Sequence, residues 1–131
     1  MNIDGKNILI TGGTGSFGKA YAEYLLNNYK PNKLVILSRD EQKHYAQKRE
    51  FEQWGTKVQF VIGDVRDRDK VHETCRAIDI VVHSAAMKHM PMAEEHPMEA
   101  IKTNVLGSLN LIDACEANGV QKVVALSTEK A

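Results

Sequence analysis

Ile8-Leu9-Ile10-Thr11-Gly12-Gly13-Thr14-Gly15-Ser16-Phe17-Gly18 decides the fold. Its first half is a short apolar run with β-branched residues, the pattern of a strand buried on both faces. Its second half places glycines at 12, 15 and 18. Gly12 permits a tight turn, Gly15 lets backbone approach a diphosphate, and Gly18 lets a helix pack close to the strand. The helix that opens here, about Phe17–Tyr29, turns its amides and partial positive charge toward such a diphosphate. A strand, a glycine turn and a helix, in that order, begin a β-α-β unit, and this context gives the spacing its meaning. A purely structural glycine-rich turn is the competing reading.

Working outward, two kinds of segment alternate. Apolar runs at Asn7–Thr11, Lys33–Leu37, Val58–Ile62, Ile78–His83 and Lys122–Ser127 read as buried parallel strands. Segments of helical period, at about Phe17–Tyr29, Glu41–Trp54, Arg68–Arg76 and Met98–Ala117, lie between them. Pro31 follows the first helix. Asp40 and Asp67 suit helix N-caps, Pro97 suits the opening of the fourth helix, and Gly119 suits its end. In the fourth helix Ile101, Val105, Ile112 and Cys115, flanked by Ala100 and Leu111, are expected on the core face. Asn104 and Ser108 interrupt that face with small polar side chains. The alternation predicts an α/β, doubly wound parallel sheet of Rossmann type. Right-handed crossovers favour the strand order 3-2-1-4-5, truncated after the fifth strand. One domain is expected, spanning residues 1–131.

The second strand runs into Ser38-Arg39-Asp40-Glu41, about 20 residues past the glycine loop, where a ribose 2′ position is read. An acidic residue there favours NAD, whereas an arginine favours the 2′-phosphate of NADP. Arg39 comes first and can grip phosphate with two parallel hydrogen bonds. Ser38 adds a hydroxyl, and Lys43 sits one helical step on. NADP is therefore expected. The alternatives are a solvated Arg39 with Asp40 as a plain cap, or Asp40 holding an NAD ribose. After the third strand, Gly63-Asp64-Val65-Arg66-Asp67 places Asp64 where it can accept from an adenine amino group, with Val65 beside it. A turn carboxylate is the other reading of Asp64.

Composition closes off other classes. Seventeen basic and 17 acidic residues balance to zero, which argues against a partner that needs a strongly basic surface, nucleic acid above all. Cys75 and Cys115 stand far apart in helical stretches, which suits reduced, buried thiols, and two such ligands do not make a metal site. No apolar run approaches the length of a membrane span or a signal peptide, so a cytoplasmic protein with no membrane partner is expected.

With these elements placed, the chain resembles the inverting UDP-N-acetylglucosamine 4,6-dehydratases, in the polysaccharide-biosynthesis branch of the extended short-chain dehydrogenases. The likeness rests on TGGTGSFG (11–18), SRDEQK (38–43), GDVRD (63–67), HSAAMKHMP (83–91), TNVLGS (103–108) and LSTEKA (126–131). The glycine loop is common to the superfamily, whereas the AAxKHxP segment and the final STEKA are much more specific. The resemblance implies a lyase that borrows a hydride from sugar C4, expels the C5 proton and the 6-hydroxyl, and returns the hydride to C6 with inversion at C5. It implies cofactor contacts from Gly12, Thr14, Gly15, Ser16, Phe17, Gly18, Ser38, Arg39, Asp40, Lys43, Asp64, Val65, Ser84, Ala85, Ala86, Lys88, Leu126 and Ser127.

It also implies catalytic roles at the tip of the last strand. Lys130 takes the place of the family's base for the C5 proton, which requires a neutral amine and hence a lowered pKa. Glu129 stands where the family has an aspartate that protonates the departing hydroxyl, one methylene longer than the family pattern. Thr128 matches the hydroxyl residue that hydrogen-bonds the C4 oxygen. Without the flanking motif, Thr128, Glu129 and Lys130 read as a solvated strand end. Lys88 is expected to touch cofactor and substrate, a surface lysine being the alternative. Ser84, Ala85 and Ala86 are small enough for backbone to pass close to a ribose. His83 and His89 read as structural rather than metal-binding, and no metal site is expected. Asn104 is equally a buried, satisfied amide or a group that orients active-site backbone.

The superfamily's helical Y-x-x-x-K pair has no counterpart here. Tyr29 and Lys33 have the spacing, but Pro31 stands between them, and Tyr45 is followed four residues later by Arg49. The resemblance thus implies an N-terminal fragment, without the C-terminal substrate domain and inactive or nearly so alone. It implies UDP-N-acetylglucosamine as small-molecule partner and a homo-oligomer, commonly a hexamer. A UDP-sugar 4-epimerase or reductase of the same branch would use the same loop without an acid and base at Glu129 and Lys130. A non-catalytic NADP-binding module would need the glycines and Arg39 but not Lys130.

Overall fold

The computed structural model describes residues 3–12, 16–84 and 97–125, and for residues 16 and 97–104 the backbone alone. The elements run β1 (Asn7–Thr11), α1 (Ser16–Asn28), β2 (Lys33–Ser38), α2 (Glu41–Glu50), a 3-10 segment (Glu52–Lys57), β3 (Val58–Ile62), α3 (Arg68–Thr74), β4 (Ile80–His83), α4 (Pro97–Asn118) and β5 (Lys122–Ala125). The five strands form one sheet in the order β3-β2-β1-β4-β5, and every pairing is parallel. The doubly wound α/β fold and its 3-2-1-4-5 order are as the alternation of segments predicts.

The inner strands β1, β2 and β4 are apolar and buried because both faces of the sheet are covered there, whereas β5 at one edge is largely exposed and β3 at the other is only partly buried. Side chains alternate, so β1 sends Ile8 and Ile10 to one core and Leu9 to the other. The first core adds Leu25 of α1, Leu34 and Ile36 of β2, and Phe51. The second adds Val71 and Cys75 from the α3 region and Leu111, Ala114 and Cys115 of α4. Leu9 is fully buried, and its truncation to alanine would cost about 2–5 kcal/mol.

Local signals set the element ends. Asp40 and Asp67 cap α2 and α3, accepting from the amides of Lys43 and Lys70 at 3.0 and 3.2 Å. Gly119 takes a left-handed φ of +70° just past α4. Helix α2 stops at Glu50, short of the Trp54 that its periodicity predicts. Phe51 turns into the core beside Trp54 and Phe60, and the 3-10 segment breaks at Gly55, where φ is +58°. Strand β4 begins at Ile80 rather than Ile78. Ala77 has a positive φ, and Ile78 still closes the turn after α3 through its amide bond to Cys75 O.

Leu111 and Cys115 lie on the core face of α4 as expected, but Val105 and Ile112 do not. Gly107, Leu111, Ala114 and Cys115 face inward, while Val105 and Ile112 are half exposed together with Leu109. The helix carries apolar residues on two faces, and periodicity alone cannot choose between them. Gly107 chooses: a Cβ there would lie 2.6 Å from Val65 Cγ2, so only glycine lets α4 approach the β3–α3 connection this closely. Asn110 and Asn118 fasten the same face by donating to the carbonyls of Val65 and His72. The side chains of Ile101, Ala100 and Asn104 lie outside the described residues. No helix among the described residues is long and apolar enough to cross a membrane.

Candidate functional site

In an open parallel sheet, ligands bind beyond the carboxyl ends of the strands, where the chain order reverses. Here that point lies between β1 and β4, and those of the singled-out residues that are described lie near the carboxyl ends of the strands. Gly12 follows Thr11 with a φ of +69°, and its amide donates to Leu37 O at 2.8 Å, tying the glycine turn to the end of β2. Gly18, on the first turn of α1, is buried, as close packing of that helix requires. Phe17 is partly exposed and stacks on Tyr21 with ring centroids 5.8 Å apart.

Beneath the turn lies a buried polar joint. Ser84 donates its amide to both Thr11 O and Thr11 Oγ1, and its hydroxyl also donates to Thr11 O. Thr11 Oγ1 in turn lies 2.6 Å from His83 Nδ1. Burial lowers the pKa of His83, which favours the neutral ring. His83 is thus a buried histidine whose Nδ1 is hydrogen-bonded to Thr11. Among the described residues no cluster of His, Cys, Asp and Glu could hold a metal. The joint itself carries no sequence signal beyond a polar residue ending each of two apolar strands.

At the ends of β2 and β3 the structure brings the expected nucleotide-reading residues together. Ser38 and Ile62 are register partners, so the residues after them leave the sheet side by side. Ser38 Oγ accepts from the Asp40 amide, and Ser38 O accepts from the Gly63 amide and from His44 Nε2. Asp40 turns its carboxylate to the N-terminus of α2, and Lys43 is exposed on the first turn of that helix. Asp64 is surrounded by cations. Arg66 donates to it from its amide, Nε and Nη2, and Arg39 Nη1 stands 3.7 Å from Asp64 Oδ2. Burial opposes ionisation of Asp64, but the hydrogen bonds and charge of Arg66, with the charge of Arg39, outweigh it and hold the carboxyl below its ordinary range. Val65 sends its side chain into the core against Gly107, so its contact with a ligand falls to its backbone.

Thr14, Gly15, Ala85, Ala86, Lys88, His89, Leu126, Ser127, Thr128, Glu129 and Lys130 lie outside the described residues, as does the side chain of Ser16. The described edge brings together Gly12 at the end of β1, the cations Arg39 and Arg66 on Asp64, and the buried joint of Thr11, His83 and Ser84. Residues 8–131 match the family of polysaccharide biosynthesis proteins. The chain belongs to that family. Within it, the chain is 56% identical to the inverting UDP-N-acetylglucosamine 4,6-dehydratase of Campylobacter jejuni over 98% of its own length and 38% of the relative's. Pen from Bacillus thuringiensis superposes with a TM-score of 0.87 at 39% identity, over 95% of this chain and 38% of that one. A UDP-glucose 4-epimerase from Stenotrophomonas maltophila, solved with bound NAD, superposes with a TM-score of 0.73 at 31% identity, over 92% of this chain and 36% of that one. The chain therefore spans well under half the length of the family members it matches.

Proposed function

We propose that this chain is the NADP-binding part of an inverting UDP-N-acetylglucosamine 4,6-dehydratase, a cytoplasmic lyase of polysaccharide biosynthesis. The observation that carries the cofactor reading is the pair of guanidiniums, Arg39 and Arg66, gathered on the single carboxylate of Asp64 where β2 and β3 end. The competing acid Asp40 is turned to the cap of α2, which weakens the NAD alternative. The residues fit a dinucleotide. Gly12 and the start of α1 would hold its diphosphate, and Ser38, Arg39 and Lys43 would hold the ribose phosphate. Asp64 and Val65 would lie at the adenine, and Ser84, Ala85, Ala86, Lys88, Leu126 and Ser127 would lie toward the other ribose.

The nicotinamide, when bound, supplies a reversible hydride acceptor. Lys130 removes the C5 proton, which is acidified once C4 is a ketone. Glu129 protonates the departing 6-hydroxyl, its extra methylene shifting the acid by about a bond length. Thr128 hydrogen-bonds the C4 oxygen, and Lys88 touches both cofactor and sugar. The chain carries no helical Y-x-x-x-K pair for the hydride step, so turnover belongs to the longer enzyme and is not expected of this chain alone. Val105, Leu109 and Ile112 give α4 an outward apolar stripe suited to assembly of copies.

Incubating the full-length parent with UDP-N-acetylglucosamine tests the reaction. A 4-keto-6-deoxy sugar nucleotide is expected. A C4 epimer as sole product would instead favour the 4-epimerase reading, for which the Stenotrophomonas likeness speaks.

A further inference from the structure

Helix α2 turns two polar side chains inward, His44 and Gln47, where the core face of a surface helix is ordinarily apolar. His44 keeps only 4% of its surface exposed. Burying a polar ring costs free energy unless a hydrogen bond offsets it, and an apolar ring would pack here without that cost. The bond that His44 makes is specific: its Nε2 lies 3.1 Å from Ser38 O. A carbonyl only accepts, so the ring hydrogen stands on Nε2. Burial is the largest influence on the pKa of this ring and lowers it, so the ring is neutral and that hydrogen is the one it has to give. Phe60 on β3 meets the ring edge to face, with centroids 5.5 Å apart and planes at 84°, and this contact supports its orientation.

Ser38 ends β2, and Arg39 follows it. The Ser38 carbonyl also accepts from the Gly63 amide at 3.0 Å, so β3 and α2 hold it from two directions. On the far side of Arg39, the Asp40 amide donates to Ser38 Oγ at 3.2 Å and the Asp40 carboxylate caps α2. The Asp40 carbonyl accepts from the His44 amide at 3.1 Å. His44 therefore ties the backbone on both sides of Arg39, by its ring to Ser38 and by its main chain to Asp40. The Arg39 side chain is 52% exposed and stands 3.7 Å from Asp64 Oδ2, an ion pair too open to fix it. Where its guanidinium reaches is set by the backbone beneath it.

We propose that His44 is a positioning residue for the 2′-phosphate grip, its Nε2 bond to Ser38 O fixing the backbone from which Arg39 reaches the ligand. This rests on the NADP reading above and deepens it with a buried residue that touches no ligand itself. The diphosphate at Gly12 and the adenine at Asp64 do not depend on this bond, so its loss falls on the phosphorylated ribose.

The test is calorimetric titration of the full-length parent, freed of nucleotide, and of its His44→Phe and His44→Gln variants, with NADP and with NAD. Adenosine 2′,5′-bisphosphate and adenosine 5′-monophosphate serve as probes without the nicotinamide. His44→Phe keeps a ring but removes the donor. It should weaken NADP and the bisphosphate by about threefold to tenfold, the worth of one hydrogen bond, and leave NAD and the monophosphate within about twofold. His44→Gln, whose amide nitrogen takes the place of Nε2, should return NADP affinity to within about twofold of the unsubstituted protein. In an Arg39→Ala background, His44→Phe should weaken NADP no further. Equal losses for phosphorylated and unphosphorylated ligands would reduce His44 to a brace for the fold and overturn the proposal. So would an unchanged NADP affinity in His44→Phe, a glutamine variant no better than phenylalanine, or a full further loss without Arg39. If the unsubstituted protein itself prefers NAD, the NADP reading fails first, and that outcome is seen before any variant is made. Should His44→Phe not fold, His44→Met, which also lacks a donor, takes its place, with the same selective loss expected and the same outcomes overturning the proposal.

Discussion

Thr11 Oγ1 and His83 Nδ1 meet 2.6 Å apart, buried, although 72 residues separate them in the chain. The bond joins the carboxyl ends of the two strands between which a nucleotide would lie. Thr11 Oγ1 also accepts from the Ser84 amide, so the joint ties the chain just past β4 to the end of β1. Burial lowers the pKa of His83, and the same cause dominates at His44, where a bond to Ser38 O and the charge of Asp40 only partly oppose it. The unfolded chain therefore binds protons that the folded chain refuses. Stability is fully present above the ordinary histidine value of about 6.5 and falls as pH drops from there toward the lowered folded values. Thermal melts between pH 7.5 and 5 should show this loss, and His83→Gln should flatten part of it. An unchanged pH profile in that variant would mean that His83 carries none of the effect.

Gly107 and Val65 give the second prediction. A methyl added at Gly107 meets Val65 Cγ2 at 2.6 Å and Val65 Cβ at 3.2 Å, and a buried valine has little freedom to yield. Gly107→Ala should cost about 1–3 kcal/mol in denaturant unfolding. It should also weaken nucleotide binding, because Val65 is the neighbour of Asp64. A neutral result on both would show that α4 can shift outward freely.

The caps provide a third. Asp67→Ala removes the acceptor for the Lys70 amide and should cost about 1 kcal/mol, read by urea midpoint. Asp40→Ala should cost a similar amount through the Lys43 amide. If Asp40 serves only as a cap, its loss leaves the ratio of NADP to NAD affinity unchanged. A shift of that ratio toward NADP would reveal that Asp40 also reads the ribose.

The thiols give the fourth. Burial, with Cys115 beside it, pushes the Cys75 thiol up to about 12, and burial also raises Cys115. Neither forms an appreciable thiolate at pH 8, and neither is reachable from solvent. The native chain should leave both unreacted with a chromogenic disulfide reagent over minutes, and both should react at once in denaturant. Rapid labelling of the folded chain would mean that α3 and α4 part readily.

Much of this architecture is legible in residue types alone. Apolar runs such as Asn7–Thr11 and Lys33–Leu37 have no other home than a two-sided sheet, whereas the runs at Val58–Ile62 and Lys122–Ala125 form edge strands that are less buried than their residue types suggest. Asp40 and Asp67 mark helix starts because a short acidic side chain is the natural acceptor for the first amides. What eluded the sequence depends on partners distant along the chain. The choice of face on α4 is settled by Val65, a residue of a different connection, and Gly107 turns inward while Val105 and Ile112 are left half exposed as a result. At the site, Arg39 announces itself by position. Arg66 does not, because its meaning lies in sharing Asp64 with a residue from the neighbouring strand.

One helix, then, carries two very different tolerances to change. Along the outward side, at Val105, Leu109 and Ile112, an isolated chain should accept polar or charged replacements with little penalty, as exposed positions generally do. A single step around the cylinder, at Gly107, nothing larger than a hydrogen atom fits. A saturation scan of this helix should thus print its orientation directly as a pattern of permissive and forbidden positions, recoverable without any coordinates.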